Sequence, residues 1–189
     1  QAITATLLQT GMEHPYRQPQ PIRTNDASAN IGASNSNLVL NAEYAKYITD
    51  ARNSAKDANF QPNTGLIDLS GQSPGLLYAL GAENIGQAWM IGGYPGSLNF
   101  ARASLARLSC QKIASSWVLL EPNGPRSIST EVMINLGVAF PKDYLLVGTW
   151  KTAAGAGGYI ESRSQELYKP KDITKTLNTC LSMRKENSQ

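Results

Sequence analysis

Short unbroken apolar runs alternate along this chain with stretches in which apolar residues return every three or four positions. The runs Leu66-Ile67-Asp68-Leu69, Trp117-Val118-Leu119-Leu120 and Tyr144-Leu145-Leu146-Val147-Gly148-Thr149-Trp150 are closed by glycine, proline or asparagine, or by a small-residue segment, and predict buried strands. Helical spacing links Tyr44, Ile48, Ala51, Ala55 and Ala58, with Asn41 placed to cap a helix that ends near Asn59. A second helix is expected from about Ser97 on the stripe Leu98, Ala101, Leu105 and Leu108, with Arg102, Arg107 and Lys112 facing away.

Shorter helices are expected at Leu76 to Leu80 and at Thr130 to Leu136, the latter capped by Ser129 and closed by Gly137. A last helix follows Asp172, with Ile173, Leu177, Cys180 and Leu181 on one face. Tyr159 to Tyr168, after the small-residue segment Ala153 to Gly158, reads as an edge strand. Helices alternating with short apolar strands predict an α/β fold, with a mainly parallel central sheet of about four to five strands, helices on both faces and an antiparallel edge strand.

The beginning of the chain differs in character. Residues 1–37 read as an extended proline-rich arm, from His14-Pro15-Tyr16-Arg17-Gln18-Pro19-Gln20-Pro21, followed by a polar surface loop rich in Asn, Ser, Ala and Gly. Residues 38–189 read as one α/β domain. The sequence starts at Gln1 without an initiator methionine or a signal-peptide pattern, which is the expectation for a processed product or an excised piece of a longer polypeptide.

Composition narrows the function classes. The 189 residues suit one domain, and with 41% hydrophobic and 16% charged residues the chain is globular but carries fewer charges than the roughly 25% usual for soluble domains. A net charge of +3 with scattered Lys and Arg offers no concentrated basic face, so nucleic acid is not an expected partner. No apolar run reaches the roughly 18 to 20 residues needed to cross a bilayer. Cys110 and Cys180 stand far apart with neither a CxxC motif nor a histidine nearby, leaving a disulfide or two buried thiols, and no metal site or cofactor is expected. A disulfide would imply an oxidising compartment.

Two segments are candidate ligand contacts. In open α/β sheets ligands bind beyond the carboxyl ends of the strands. That points to Asp68, Ser70, Gly71, Gln72 and Ser73, where glycine permits close backbone approach and amides opening the Pro74 helix could hold an anionic oxygen. No lysine follows the glycines, so this is not a phosphate-loop motif, and the alternative is a turn in which Asp68 and Ser73 satisfy backbone donors. The second segment is Trp89 to Ser97, in which Trp89, Gly93, Tyr94 and Ser97 combine aromatic contact area with a glycine-rich bend, against the alternative of a core Trp89 beside a tight turn. Trp117 and Trp150 read as core.

Catalytic constellations are poorly supported. The lone His14 lies in the arm, away from any Ser-His-Asp arrangement, and Asp68 with Glu121 could form a carboxylate pair only if the fold brings them together.

The segments IDLSGQSPGLLYALGA and IGQAWMIGGYPGS within Asn63 to Ser97, HPYRQPQPIR near the start and SCQKIASSWVLLEP further on carry a resemblance over nearly the whole chain. It resembles the soluble C-terminal portion of uncharacterised bacterial multi-pass membrane proteins, some of which are similar to membrane glycosyltransferases. The resemblance implies a periplasmic domain tethered to the membrane, with the transmembrane region of its own parent chain as partner and a glycan or lipid-linked sugar as ligand. No catalytic role transfers to a residue here, so glycosyl transfer would belong to other parts of the parent protein.

The leading expectation is therefore an extracytoplasmic accessory or binding domain without catalysis of its own. Its rivals are an autonomous enzyme acting on a small sugar or phosphate-containing ligand through Asp68 and the Ser70 to Ser73 loop, and a purely structural assembly domain, which predicts no defined cleft.

Overall fold

A computed structural model describes residues 4–6, 21–155 and 159–186. The expectations for His14 and for the proline-rich stretch 14–20, and part of the small-residue segment 153–158, lie outside the described residues.

After a 3-10 turn at Ile22–Thr24 the chain forms a hairpin of β1 (Ala27–Ile31) and β2 (Ser36–Leu40), which enters α1 (Ala42–Asp57). The Asn41 carboxamide accepts from the Tyr44 amide at 2.8 Å, satisfying one of the donors that a helix start leaves over, and Ala45, Tyr47, Ile48, Ala51 and Ala55 are buried. There follow β3 (Gly65–Asp68), α2 (Pro74–Leu80), the two-residue β4 (Glu83–Asn84), α3 (Ser97–Ala106), α4 (Cys110–Ser115) and β5 (Trp117–Leu120). The one-turn α5 (Glu131–Ile134), β6 (Tyr144–Lys151), β7 (Ser164–Pro170) and α6 (Ile173–Glu186) complete the order.

The main sheet has five strands in the order β4-β3-β5-β7-β6. Successive side chains along β3 and β5 are buried but enter opposite cores, as the pleat requires. Leu66, Trp117, Leu119 and Leu167 face the core under α1, α2 and the hairpin, while Ile67 and Val118 face the core under α3, α4 and α5. Helices therefore cover both faces.

The sheet is mixed rather than mainly parallel. β3 pairs in parallel with β4 and β5, but β7 pairs antiparallel with both β5 and β6, and its ladder with β6 is the longest in the sheet. The pairings make β7 the one strand running against the other four. It was expected at the edge, as Tyr159 to Tyr168; it begins at Ser164 and sits inside the sheet, leaving β6 at the edge. Its Ser, Gln and Glu give it the composition of a solvated strand, and only burial of Gln165 and Leu167 on one phase reveals the interior position.

Two further expectations are corrected. The helix predicted from Ser97 through Lys112 is two helices, because the Ser109 hydroxyl accepts from the Lys112 amide at 3.2 Å and caps a new start. The loop predicted over Thr24 to Asn37 contains β1, whose Ala29 pairs with Leu38 across the hairpin, so the hairpin straddles position 38. Its turn is fastened to α2: the Gly32 amide donates to the Ala79 carbonyl at 2.9 Å, and Arg52 donates to the same carbonyl and to Asn35.

Cys110 and Cys180 form a disulfide joining α4 to α6, with Cα atoms 5.6 Å apart. Among the described residues no helix is long and apolar enough to cross a membrane.

Candidate functional site

Where β3, β5 and β7 reach one end of the sheet, the inward-facing position on each changes from leucine to a polar group. Leu66 is followed two residues on by Asp68, Leu119 by Glu121, and Leu167 is preceded by Gln165. Because side chains repeat every second residue on one face, these three project to the same side as the leucines. All three are buried, Glu121 wholly so.

Gln165 is the centre of the arrangement. Its amide nitrogen donates to the Ser73 hydroxyl at 2.9 Å and to Glu121 Oε2 at 3.0 Å. Its oxygen accepts from the Tyr47 hydroxyl at 2.9 Å and from Trp150 Nε1 at 3.1 Å. All four hydrogen-bonding capacities of the carboxamide are thus used, which is what makes a buried polar side chain tolerable.

Glu121 Oε1 accepts from Arg163 Nε at 2.6 Å and from Gln72 Nε2 at 3.2 Å. Arg163 is itself held by backbone pairing with Thr152 and lies over the Tyr159 ring, 4.5 Å from its centroid. The ion pair gives the buried carboxylate the partner without which burial would cost several kcal/mol.

Asp68 lies behind this group. Oδ1 accepts from the Ser70 amide at 2.9 Å and hydroxyl at 2.6 Å, Oδ2 accepts from the Ser73 amide at 3.1 Å, and the two serine hydroxyls are 2.7 Å apart. Burial raises the Asp68 carboxyl above its ordinary value, and the hydrogen bonds from Ser70 and Ser73 oppose that rise without cancelling it. Burial likewise raises the Tyr47 phenol well above its ordinary value, with the nearby Tyr44, Asp68 and Glu121 adding to the effect and a hydrogen bond from the Ser73 side chain opposing it. The Ser73 amide, expected to greet an external anion, donates to the protein's own Asp68 instead.

These side chains form the floor of a cavity of about 520 Å³, a size usual for small-molecule sites. Gln72, Ser73, Tyr47, Arg163 and Gln165 line it with polar groups, against which the wholly buried Glu121 is packed. The walls are apolar: Ile31, Leu38 and Leu40 of the hairpin, Tyr44 and Ile48 of α1, Leu76 and Tyr78 of α2, and Trp89. Leu38 and Trp89 remain substantially exposed and stand where the cavity meets solvent.

The sequence-selected residues are therefore distributed unevenly. Gln72, Ser73 and Trp89 border the cavity, while Asp68 and Ser70 support Ser73 from behind. Gly71 and Gly93 adopt positive φ and press against the backbone at Arg126 and Pro125, where a Cβ would collide with a carbonyl oxygen, so they serve loop packing. Tyr94 and Ser97 do not border the cavity; Ser97 opens α3 and its amide donates to the Tyr94 carbonyl at 3.2 Å. Asp68 and Glu121 do come to one region, linked through Ser73 and Gln165 rather than facing each other.

Sequence reasoning missed Tyr47, Arg163 and Gln165. The signal for Gln165 was its place two residues from Leu167 on the inward phase of a strand, and for Tyr47 its adjacency to Ile48 on the buried side of α1. Among the described residues no group of three or more His, Cys, Asp or Glu side chains is arranged to hold a metal ion. No protein-family model matches the chain, and no curated protein or solved structure shows significant similarity to it.

Proposed function

We propose that this chain is an extracytoplasmic binding domain of a larger membrane protein and that its cavity receives a small amphipathic ligand of the envelope, a glycan or lipid-linked sugar. The observation that carries the reading is the cavity itself, with apolar walls over a floor of buried, mutually hydrogen-bonded side chains. A purely assembling domain has no need of such a floor, which costs desolvation of several polar groups. Asp68 does not border the cavity and both its oxygens are engaged by serine donors, an arrangement better suited to holding Ser73 than to taking a proton from a substrate. The Cys110–Cys180 disulfide supports an oxidising compartment.

Thermal unfolding in the presence of free sugars and alkyl glycosides tests the reading. A ligand at about one hundred times its dissociation constant stabilises by about 2.7 kcal/mol, which at roughly 2–4 °C per kcal/mol is a rise of several degrees. The rise is expected to be lost in Trp89→Ala and in Leu38→Lys, both at exposed positions where substitution spares the core. No rise with any compound, or a rise untouched by both substitutions, would overturn it.

A further inference from the structure

Resting on that reading of the cavity, the hydrogens that its lining has to spare decide which part of an amphipathic ligand enters and where the polar end sits. Those of the buried floor are spent inside the protein. The Gln165 amide hydrogens go to Ser73 and Glu121, the Tyr47 hydroxyl hydrogen goes to the Gln165 oxygen, and the Ser73 hydroxyl lies 2.7 Å from that of Ser70. The Tyr47 oxygen in turn receives a hydrogen bond from the Ser73 side chain, and Glu121 has no exposed surface. A sugar ring pushed onto this floor would bring several hydroxyls against groups already engaged, and each hydroxyl left without a partner costs affinity.

Arg163 differs from the rest of the lining. It is the one cation bordering the cavity among the described residues, and its side chain keeps 16% exposure. Nε donates to Glu121 Oε1 at 2.6 Å and one terminal nitrogen donates to the Glu161 carbonyl at 3.2 Å. A guanidinium carries five N–H hydrogens, so with these two spent among the described residues three remain, two on one terminal nitrogen and one on the other. The group is already held in place: the Arg163 amide donates to Thr152 Oγ1 at 2.9 Å, and the guanidinium carbon lies 4.5 Å from the Tyr159 ring centroid. Offering the remaining hydrogens therefore calls for no parting from Glu121 and little loss of side-chain freedom. Their planar fork matches the paired oxygens of a phosphate or carboxylate. Asp68 does not border the cavity, and both its oxygens are engaged by serine donors. We infer that the cavity takes a lipid anion, with hydrocarbon against Leu38, Leu40, Tyr44, Ile48 and Trp89, phosphate or carboxylate oxygens on Arg163, and no sugar ring on the floor. Of a lipid-linked sugar, the cavity holds the lipid phosphate and leaves the sugar outside.

The direct test is calorimetric titration of the intact chain with n-octyl phosphate, n-octyl β-glucoside and inorganic phosphate, the first two below the concentrations at which they self-associate. A hydrogen bond to a charged group is worth roughly tenfold or more in affinity. Octyl phosphate is expected to bind at least about tenfold more tightly than the glucoside and than inorganic phosphate. The double variant Glu121→Gln with Arg163→Met, which removes both charges together, is expected to bring octyl phosphate down to the level of the glucoside. Equal affinities of the two octyl probes, or tighter binding of the glucoside, would overturn the head-group assignment while leaving the cavity as a ligand site. Inorganic phosphate binding as tightly as octyl phosphate would overturn the role of the apolar wall, and a preference kept by the double variant would overturn that of Arg163. Binding of neither octyl probe, with the wild-type chain folded, would overturn the cavity reading together with this one. The comparison of probes on wild-type protein decides the head group whether or not the variant folds.

Discussion

The side-chain nitrogen of Gln165 lies 3.0 Å from Glu121 Oε2, joining the start of β7 to the residue just past the end of β5. The same nitrogen reaches Ser73 at the mouth of α2, and the oxygen of the same carboxamide holds Tyr47 of α1 and Trp150 of β6. One side chain thus fixes the relative positions of five elements around the cavity floor.

Replacing that side chain by one of similar length without polar atoms removes four hydrogen bonds and leaves buried partners unpaired. Each stranded group costs about 1–3 kcal/mol. Gln165→Met is expected to lower unfolding stability by several kcal/mol in urea titration, with Trp150 emission altered in the folded state. A loss below about 1 kcal/mol would show that the carboxamide does not organise the floor.

The Glu121–Arg163 pair makes a different prediction. With Arg163 only slightly exposed and Glu121 wholly buried, removal of the cation leaves an uncompensated carboxylate at a cost of about 3–5 kcal/mol. Arg163→Met is expected to be far more damaging alone than when Glu121→Gln is already present. A double-mutant cycle with no coupling between the two sites would contradict the pairing.

Asp68 gives the pH dependence. Its folded value is raised, so the fold favours the protonated carboxyl. That contribution is fully present below the unfolded value near pH 4 and is lost as pH rises through the higher folded value. The stability advantage of wild type over Asp68→Asn is therefore expected to be largest near pH 4 and to shrink toward neutrality. An advantage that widens with rising pH would mean that the hydrogen bonds from Ser70 and Ser73 outweigh burial.

Closing a loop of 70 residues by the Cys110–Cys180 bond contributes about 4 kcal/mol in the chain-entropy description. The bond joins α4 to α6, and neither cysteine borders the cavity. Cys110→Ser with Cys180→Ser is expected to lower the melting temperature by roughly ten degrees while ligand affinity, measured well below that temperature, changes little. A parallel loss of affinity would show that the α4–α6 link and the cavity are coupled.

Much of the fold was legible in the sequence because apolar runs and capping residues are local signals. Leu66 to Leu69, Trp117 to Leu120 and Tyr144 to Trp150 announced their strands, and Asn41 and Asp172 their helix starts. Neighbour order was not legible. Nothing local tells β7 to enter between β5 and β6, and that insertion turns a sheet of mostly co-directional strands into one with two antiparallel ladders. β1 was hidden because Ala, Ser and Asn carry little strand signal; it forms through pairing with β2 and attachment to α2.

The site was legible only in part for the same reason. Ser73 and Trp89 could be selected from turn chemistry and aromatic context. Arg163 and Gln165 acquire their role from a pairing partner more than forty residues earlier, Glu121, and pattern within one segment cannot supply it.

The interior placement of β7 also bears on when the cavity acquires its polar floor. Gln165 meets Ser73 across 92 positions of sequence, so the floor is among the most non-local features of the chain. Such contacts form late, since the polypeptide between them must first be gathered in. During synthesis from the amino end, the hairpin and α1 emerge long before the strand that finishes the pocket. The polar floor is completed by the last of these strands to arrive, and a polypeptide that stops short of it presents the apolar walls without Arg163 and Gln165.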